Sequence, residues 1–177
     1  DCEVFAHDWI FVAKQPVEGG ERVILHNDAP ALRWWVDAFG RDELVIGGYN
    51  TKHYDQWILR AIYTGATPEQ VKEINDWIIG GQKGWDHPYF ADQRWPPWTN
   101  FDLMDDIPVP LRLKEIEGNL GMDVEESRVS FDIDHPLTQA EQDEVIQYCC
   151  HDVDAAIRLY HERKSYLESK ITVGSMC

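Results

Sequence analysis

Short runs of aliphatic, aromatic and β-branched residues alternate with polar, glycine-containing segments over much of the chain. Runs of this length, bounded by turn residues, are typical of β-strands. Gly19 and Gly20 separate two of the runs, which indicates a hairpin. We predict strands at 1–5, 9–13, 22–25, 44–47 and 101–104.

Elsewhere the hydrophobic residues recur at helical spacing, and capping residues mark where the helices begin. Asn27 or Asp28 can cap the first helix, while Thr67 and Thr138 each begin a capping-box pattern. The last helical pattern contains a candidate break near Cys150. We predict helices at about 28–39, 53–63, 67–79, 113–120 and 138–170, and a long tryptophan-rich loop or insertion at 80–98.

This order of elements, strands first and then helices mixed with strands, predicts an α/β or α+β fold. The 177 residues suit one domain with a sizeable core. Hydrophobic residues make up 44% of the chain and aromatic residues 12%, which is too rich for a disordered protein. No apolar run reaches transmembrane length and no signal-peptide pattern is visible, so we expect no membrane contact.

The four cysteines, Cys2, Cys149, Cys150 and Cys177, form no C-x-x-C pair. Because Cys149 and Cys150 are adjacent, a disulfide between them would be strained, and a reduced intracellular protein is the better interpretation. The same adjacency suits tetrahedral zinc poorly, so zinc is not expected here.

Three short acidic clusters contain the candidate chemistry. Asp1 and Glu3 lie two apart on a predicted strand and therefore share one face. Asp55 follows a different strand, and Asp152 lies on a late helix with Tyr148 four residues earlier on the same face. Carboxylates gathered in this way repel one another unless a cation such as Mg²⁺ or Mn²⁺ binds between them. Taken singly, each cluster also fits an ordinary strand, a helix cap or an amphipathic helix face.

Read in order, the clusters are D-x-E at 1–3, N-x3-Y-D at 50–55 and Y-x3-D at 148–152. This set resembles the motifs of the DEDD 3'–5' exonucleases, in the variant with tyrosine in the third motif. The proofreading exonuclease domains of bacteriophage and bacterial DNA polymerases are most similar. The resemblance covers nearly the whole chain, and segment 113–121 resembles the helix between the second and third motifs. It implies a ribonuclease-H-like α/β fold, with a mixed sheet of about five strands flanked by helices.

The resemblance also implies a role for each acidic residue at a site with two Mg²⁺ or Mn²⁺ ions. Asp1, Glu3 and Asp152 would bind the first metal. Asp1 would bridge to the second metal, which Asp55 would hold. Tyr148 would position the attacking water by hydrogen bonding, since an ordinary tyrosine pKa near 10 does not suit a general base.

Other residues are candidates for contacting the substrate. By resemblance, Asn50 and Tyr54 would support the substrate strand or the wall of the site. Lys52, Arg112 and Lys114 are the best candidates for phosphate contacts. His53 and His151 lie beside the motif acids and could also contact phosphate, although ordinary surface histidines explain them as well. Trp85, Trp95 and Trp98 could stack on single-stranded bases or pack in the core.

The function expected from these observations is a 3'–5' exonuclease that acts on single-stranded DNA ends. It would proofread for a DNA polymerase region in the same polypeptide, downstream of Cys177. We also expect a strand to begin before Asp1, so that the chain is a piece of a longer protein. The expected location is the cytoplasm, or the host cytoplasm if a bacteriophage encodes the chain.

The charge balance keeps alternatives open. With 16 Lys and Arg against 32 Asp and Glu, the formal net charge is −16, whereas phosphate contacts normally come from basic residues. A neighbouring domain would therefore help to hold the substrate. An exoribonuclease with the same chemistry is one alternative, because discrimination rests on 2'-hydroxyl contacts. A non-catalytic module that docks nucleic acid or protein is another.

Overall fold

The computed structural model describes residues 1–38, 44–94, 98–107, 111–119, 121–123 and 127–175. These residues have an α/β architecture with five α-helices and five strands in two sheets. One sheet is antiparallel, in the order β1-β2-β3, and the other is a parallel pair, β4-β5. The strands are β1 (Cys2–Val4), β2 (Trp9–Lys14), β3 (Arg22–His26), β4 (Val45–Gly48) and β5 (Thr99–Asp102), and the helices are α1 (Ala29–Ala38), α2 (Asp55–Thr64), α3 (Pro68–Ile79), α4 (Leu113–Asn119) and α5 (Gln139–Ser175).

Strand β2 is buried on both faces and separates two hydrophobic clusters. Trp9 and Phe11 belong to the cluster that contains residues of α1, α2 and α3. Ile10 and Val12 belong to a second cluster, with residues of α5. Because successive side chains of a strand point to opposite faces, this alternation places the antiparallel sheet between α5 on one side and α1, α2 and α3 on the other.

The helix starts follow the predicted capping residues. Asp28 caps α1, since its carboxylate accepts a hydrogen bond of 2.9 Å from the backbone N–H of Ala31. Asn27 instead adopts a left-handed backbone, with φ of 51°, and its side chain accepts a bond from Trp9. Thr67 forms the predicted capping box with Gln70 at the start of α3. The predicted box at 138–141 also forms.

Several boundaries differ from the sequence-based prediction. Helix α2 begins at Asp55, because residues 51–54 form turns. Helix α5 continues through Cys150 without a break, since no proline or glycine occurs between its first residue and position 174. Strand β5 ends at Asp102, where a 3-10 turn begins. Segment 80–98 contains two 3-10 turns, Gly84–Asp86 and Pro88–Phe90. The predicted helix ends at 39 and 120, as well as Trp95 and Cys177, lie outside the described residues.

The predicted number of strands is confirmed, but the described strands form two sheets instead of one. Strand β1 is only three residues long. A cavity of about 310 Å³ lies between the two sheets. It is lined by Ala13 and Lys14 of β2 and by residues of β4. Among the described residues, none of the helices combines the length and apolar character needed to cross a lipid bilayer.

Candidate functional site

The three acidic clusters converge around the end of β1. Ligand atoms of Asp1, Glu3 and Cys149 all lie within 4.8 Å of one another. Asp55 and Asp152 are close enough to Glu3 for their charges to raise its pKa. Asp1, Asp55 and Asp152 also line the cavity between the two sheets. The structure therefore brings together all four carboxylates that the sequence singled out.

The pairing of β1 with β2 fixes the positions of Asp1 and Glu3. The Asp1 backbone nitrogen donates a hydrogen bond of 2.9 Å to the Val12 carbonyl, and the Val12 N–H donates one of 3.0 Å to the Asp1 carbonyl. Cys2 and Val4 point into the core beneath α2 and α3. The alternation of the strand therefore presents Asp1 and Glu3 together on its other face.

Asp55 is positioned by the turn that precedes it, and a second acidic residue fixes that turn. Asp102, at the end of β5, is 2% exposed and accepts hydrogen bonds of 2.9 Å from the backbone N–H groups of Asn50 and Lys52. It also accepts one from Met104. Asn50 adopts a left-handed φ of 61°, which asparagine tolerates better than most residues. Asp102 is not among the residues singled out from the sequence, because its only signal there is an acidic residue inside the predicted strand at 101–104.

Unpaired oxygen atoms mark the centre of the site. Asp1, Asp55 and Asp152 each have one buried carboxylate oxygen that lacks a hydrogen-bond partner among the described residues. Asp55 is only 9% exposed. A buried anion without a partner is costly, so such groups either take up a proton or bind a cation.

The pKa values of these acids are raised accordingly. Burial, reinforced by the charges of Asp152 and Asp55, raises the pKa of Glu3 to about 8. Burial also raises the pKa of Asp55 and that of Asp152. Glu3 therefore holds a proton at neutral pH in the absence of a metal ion, and a divalent ion would displace it.

Tyr148 and Lys114 lie at the side of the cluster formed by α5 and α4. The Tyr148 hydroxyl is within hydrogen-bonding reach of the Asp152 carboxylate, and burial together with this carboxylate raises the pKa of the phenol. Tyr148 is thus a neutral O–H donor near pH 7. The Nζ atom of Lys114 lies 5.0 Å from the centroid of the Tyr148 ring, and its charge lowers the pKa of both Glu3 and Asp152.

An open cleft of about 770 Å³ adjoins the acids. Asp1, Glu3 and Asp55 form part of its lining, together with Asn50 and Tyr54. The Tyr54 hydroxyl donates a hydrogen bond of 2.6 Å to Asn75 on α3. This bond fixes the wall of the cleft to the neighbouring helix.

Exposed hydrophobic side chains are concentrated in this cleft. Of seven large hydrophobic residues exposed in the described part of the chain, three line it: Ile79, Trp85 and Phe131. The Phe131 ring stacks on the buried ring of Phe5, with centroids 5.2 Å apart and 14° between the planes. Sequence analysis did not single out Phe131, because its partner lies 126 residues away in the chain.

The remaining candidates occupy different surroundings. Lys52 forms an ion pair with Asp105. His53 lines the cleft, whereas His151 faces the buried Glu117 at 3.9 Å. Trp98 packs edge-on against Tyr63, which favours the core-packing interpretation of this tryptophan.

The rest of the sequence candidates are Arg112 and the adjacent cysteines. The Arg112 backbone N–H donates a hydrogen bond to Glu115, at the start of α4. Cys149 is fully buried near Asp1, whereas Cys150 is partly exposed. The two thiols therefore do not converge on one tetrahedral position.

Protein-family models, curated protein sequences and solved structures give no significant match to this chain. The functional interpretation therefore depends on the side chains themselves.

Proposed function

We propose that this chain is a metal-dependent 3'–5' exonuclease domain, which hydrolyses the terminal phosphodiester bond of single-stranded DNA. The observation that carries the proposal is the set of three buried, unpaired carboxylate oxygens on Asp1, Asp55 and Asp152. Oxygen atoms of this kind are the ligands that Mg²⁺ and Mn²⁺ prefer. Buried carboxylate oxygens are normally hydrogen-bonded, so an oxygen left without a partner marks a candidate cation site.

In this proposal, Asp1, Glu3 and Asp152 hold one ion, and Asp1 and Asp55 hold a second. Such ions supply a lowered water pKa and charge stabilisation at the scissile phosphate. The Tyr148 hydroxyl lies within hydrogen-bonding reach of Asp152, and its oxygen would accept a hydrogen bond from the attacking water and so orient it. The bond from the water oxygen to phosphorus forms, and the bond from phosphorus to the 3'-oxygen of the preceding nucleotide breaks. The attacking water loses one proton to solvent, and the leaving 3'-oxygen takes one up.

The cleft supports a single-stranded nucleic acid as the substrate. Trp85 is 52% exposed and Phe131 is 48% exposed, and both line the cleft that contains Glu3 and Asp55. Exposed rings stack on unpaired bases without a sequence preference, at roughly 1–3 kcal/mol per base. Lys72 and Lys83 line the same cleft and can approach phosphate groups.

We also propose a ribonuclease-H-like arrangement of the strands. It is supported by an antiparallel β1-β2-β3 sheet that carries the first acids, and by a parallel β4-β5 pair that leads into Asp55. It is further supported by the late helix α5, which carries Asp152. The biological role that we propose is proofreading for a DNA polymerase region in the same polypeptide.

A nuclease assay tests the function. The purified chain with Mn²⁺ should shorten a 5'-labelled single-stranded DNA one nucleotide at a time, and a blocked 3' end should prevent this. Asp55→Ala should remove the activity. Asp154→Ala is the matched control, since Asp154 lies on α5 near the site but pairs with Lys14 and Arg22. Equal activity in the Asp55→Ala protein would exclude this assignment, and faster shortening of RNA would favour an exoribonuclease.

A non-catalytic docking module is the second candidate, and the net charge of −16 favours it. It predicts that the cleft binds an oligonucleotide or a protein, and that Mn²⁺ causes no cleavage. Absence of cleavage by the wild-type chain, combined with measurable binding of the oligonucleotide, would support this alternative.

A further inference from the structure

Among the described cysteines, Cys149 places its sulfur atom among the ligand oxygens of the acidic cluster, whereas the Cys2 side chain packs in the core on the other face of β1. Its side chain is fully buried, and its Sγ atom lies within 4.8 Å of ligand oxygens of both Asp1 and Glu3. It precedes Asp152 by three residues on α5, so the two side chains share a helix face. The soft sulfur atom of Cys149 therefore lies next to the hard carboxylate oxygens of Asp1 and Glu3.

The surroundings of Cys149 provide what a metal ion needs apart from the sulfur atom. Asp1 and Asp55 each offer a buried oxygen with no hydrogen-bond partner among the described residues. Asp55 is 9% exposed, and its charge raises the pKa of Glu3, so it faces the same space. Thiolate and carboxylate ligands together suit Zn²⁺ and Cd²⁺, whereas Mg²⁺ avoids sulfur.

We propose that Cys149 makes this cluster a high-affinity binding site for thiophilic divalent ions such as Zn²⁺ or Cd²⁺. The ion would bind the Cys149 sulfur together with Asp1 and Glu3. The thiol proton, and the proton that Glu3 carries in the metal-free protein, would both be released to solvent as the bonds to the metal form. Binding of the ion does not require nuclease activity. Zn²⁺ or Cd²⁺ would also displace Mg²⁺ or Mn²⁺ and inhibit cleavage of the nucleic acid. This consequence rests on the proposed function.

Titration with Cd²⁺ tests the proposal, because Cd–thiolate coordination produces an ultraviolet charge-transfer band. The wild-type chain should give this band with one equivalent of Cd²⁺. Cys149→Ser should lose the band and bind Cd²⁺ at least tenfold more weakly, since even removal of an outer partner costs 10–100-fold. Cys150→Ser is the matched control and should leave the tight band unchanged, because Cys150 is the neighbouring residue on the same helix.

Two results would overturn the proposal: no Cd–thiolate band in the wild-type chain, or an equally tight band in the Cys149→Ser protein. Cys149→Ala, compared by circular dichroism with the wild-type chain, repeats the test if the serine variant fails to fold. The nuclease assay separates this proposal from the proposed function. A Cd–thiolate band without Mn²⁺-dependent cleavage would support the metal site at Cys149 and contradict the proposed nuclease function. Cleavage without the band would support the nuclease function and contradict the metal site at Cys149.

Discussion

Asp152 and Asp154 lie two residues apart on α5 but in opposite environments. Asp154 accepts hydrogen bonds of 2.7 to 2.8 Å from Lys14 and Arg22, and these partners help to lower its pKa despite partial burial. Asp152 has one buried oxygen without a partner, and burial raises its pKa. One residue is therefore a structural ion pair and the other is a candidate metal ligand.

We predict that Asp152→Asn abolishes Mn²⁺-dependent nuclease activity, while it stabilises the metal-free protein at pH 8 by on the order of 1 kcal/mol. The gain arises because the substitution removes a buried charge that repels Glu3. Activity and thermal unfolding in EDTA measure the two effects. Asp154→Asn should show the opposite combination, with activity retained and a small loss of stability. A destabilised Asp152→Asn protein would indicate that Asp152 is structural.

We predict that Tyr148→Phe lowers kcat by on the order of 10²-fold and leaves the affinity for Mn²⁺ nearly unchanged. The phenol is a neutral donor beside Asp152, so its loss misplaces the attacking water without removing a metal ligand. Single-turnover kinetics and a Mn²⁺ titration of the same protein separate these effects. A large loss of Mn²⁺ affinity would instead make Tyr148 a residue that holds Asp152 in place.

At the scale of elements, the turn between β4 and α2 determines where Asp55 lies. Asp102 holds this turn through bonds to two backbone N–H groups, although it touches no proposed ligand in the described hydrogen-bond network. It is therefore a positioning residue.

We predict that Asp102→Ala destabilises the fold by about 2 kcal/mol or more, because three backbone donors lose a charged acceptor. It should also weaken Mn²⁺ binding, because Asp55 is no longer fixed. Asp105→Ala is the control, since Asp105 forms an exposed ion pair with Lys52 in the same region. If both variants bind Mn²⁺ normally, the turn does not position Asp55.

Local signals in the sequence were sufficient for most of the elements. Capping residues such as Asp28 and Thr67 correctly located helix starts, because a cap is a contact between near neighbours in the chain. The stacking of Phe131 on Phe5 and the bonds of Asp102 were missed. These contacts join distant segments, and no spacing rule encodes them.

In the molecule as a whole, the acidic residues differ in how deeply they are buried. The sequence predicted that the acids would converge, because strand alternation and helix spacing placed each on one side of its element. It could not predict that the described strands form two sheets, because pairing between strands that are distant in the chain is not encoded in local spacing.

We predict that the metal-free protein becomes less stable as the pH rises from about 4.5 to 8. The folded state keeps a proton on Glu3 up to a pKa of about 8, whereas the unfolded chain releases it near the ordinary value of 4.5. The folded state therefore binds more protons in this window, and the free energy of unfolding falls. The raised pKa of Asp55 acts in the same direction. Thermal unfolding in EDTA from pH 5 to 9 measures the trend.

Glu3→Gln should flatten this pH dependence, and so should saturating Mn²⁺, which replaces the protons. The lowered pKa of Asp154 has no part in the window, because its contribution is lost only below its ordinary pKa of 3.8. Stability that stays constant or rises with pH in EDTA would contradict the burial of charge described for Glu3.

The central claim is that Asp1, Glu3, Asp55 and Asp152 together form a site for divalent metal ions. Electron paramagnetic resonance during a Mn²⁺ titration tests it most directly, because it counts bound ions and detects spin coupling between two ions that lie close together. The account predicts two coupled Mn²⁺ ions per wild-type chain, and loss of the coupling in Asp55→Ala. Binding of no Mn²⁺ by the wild-type chain, or identical spectra for the two proteins, would contradict it.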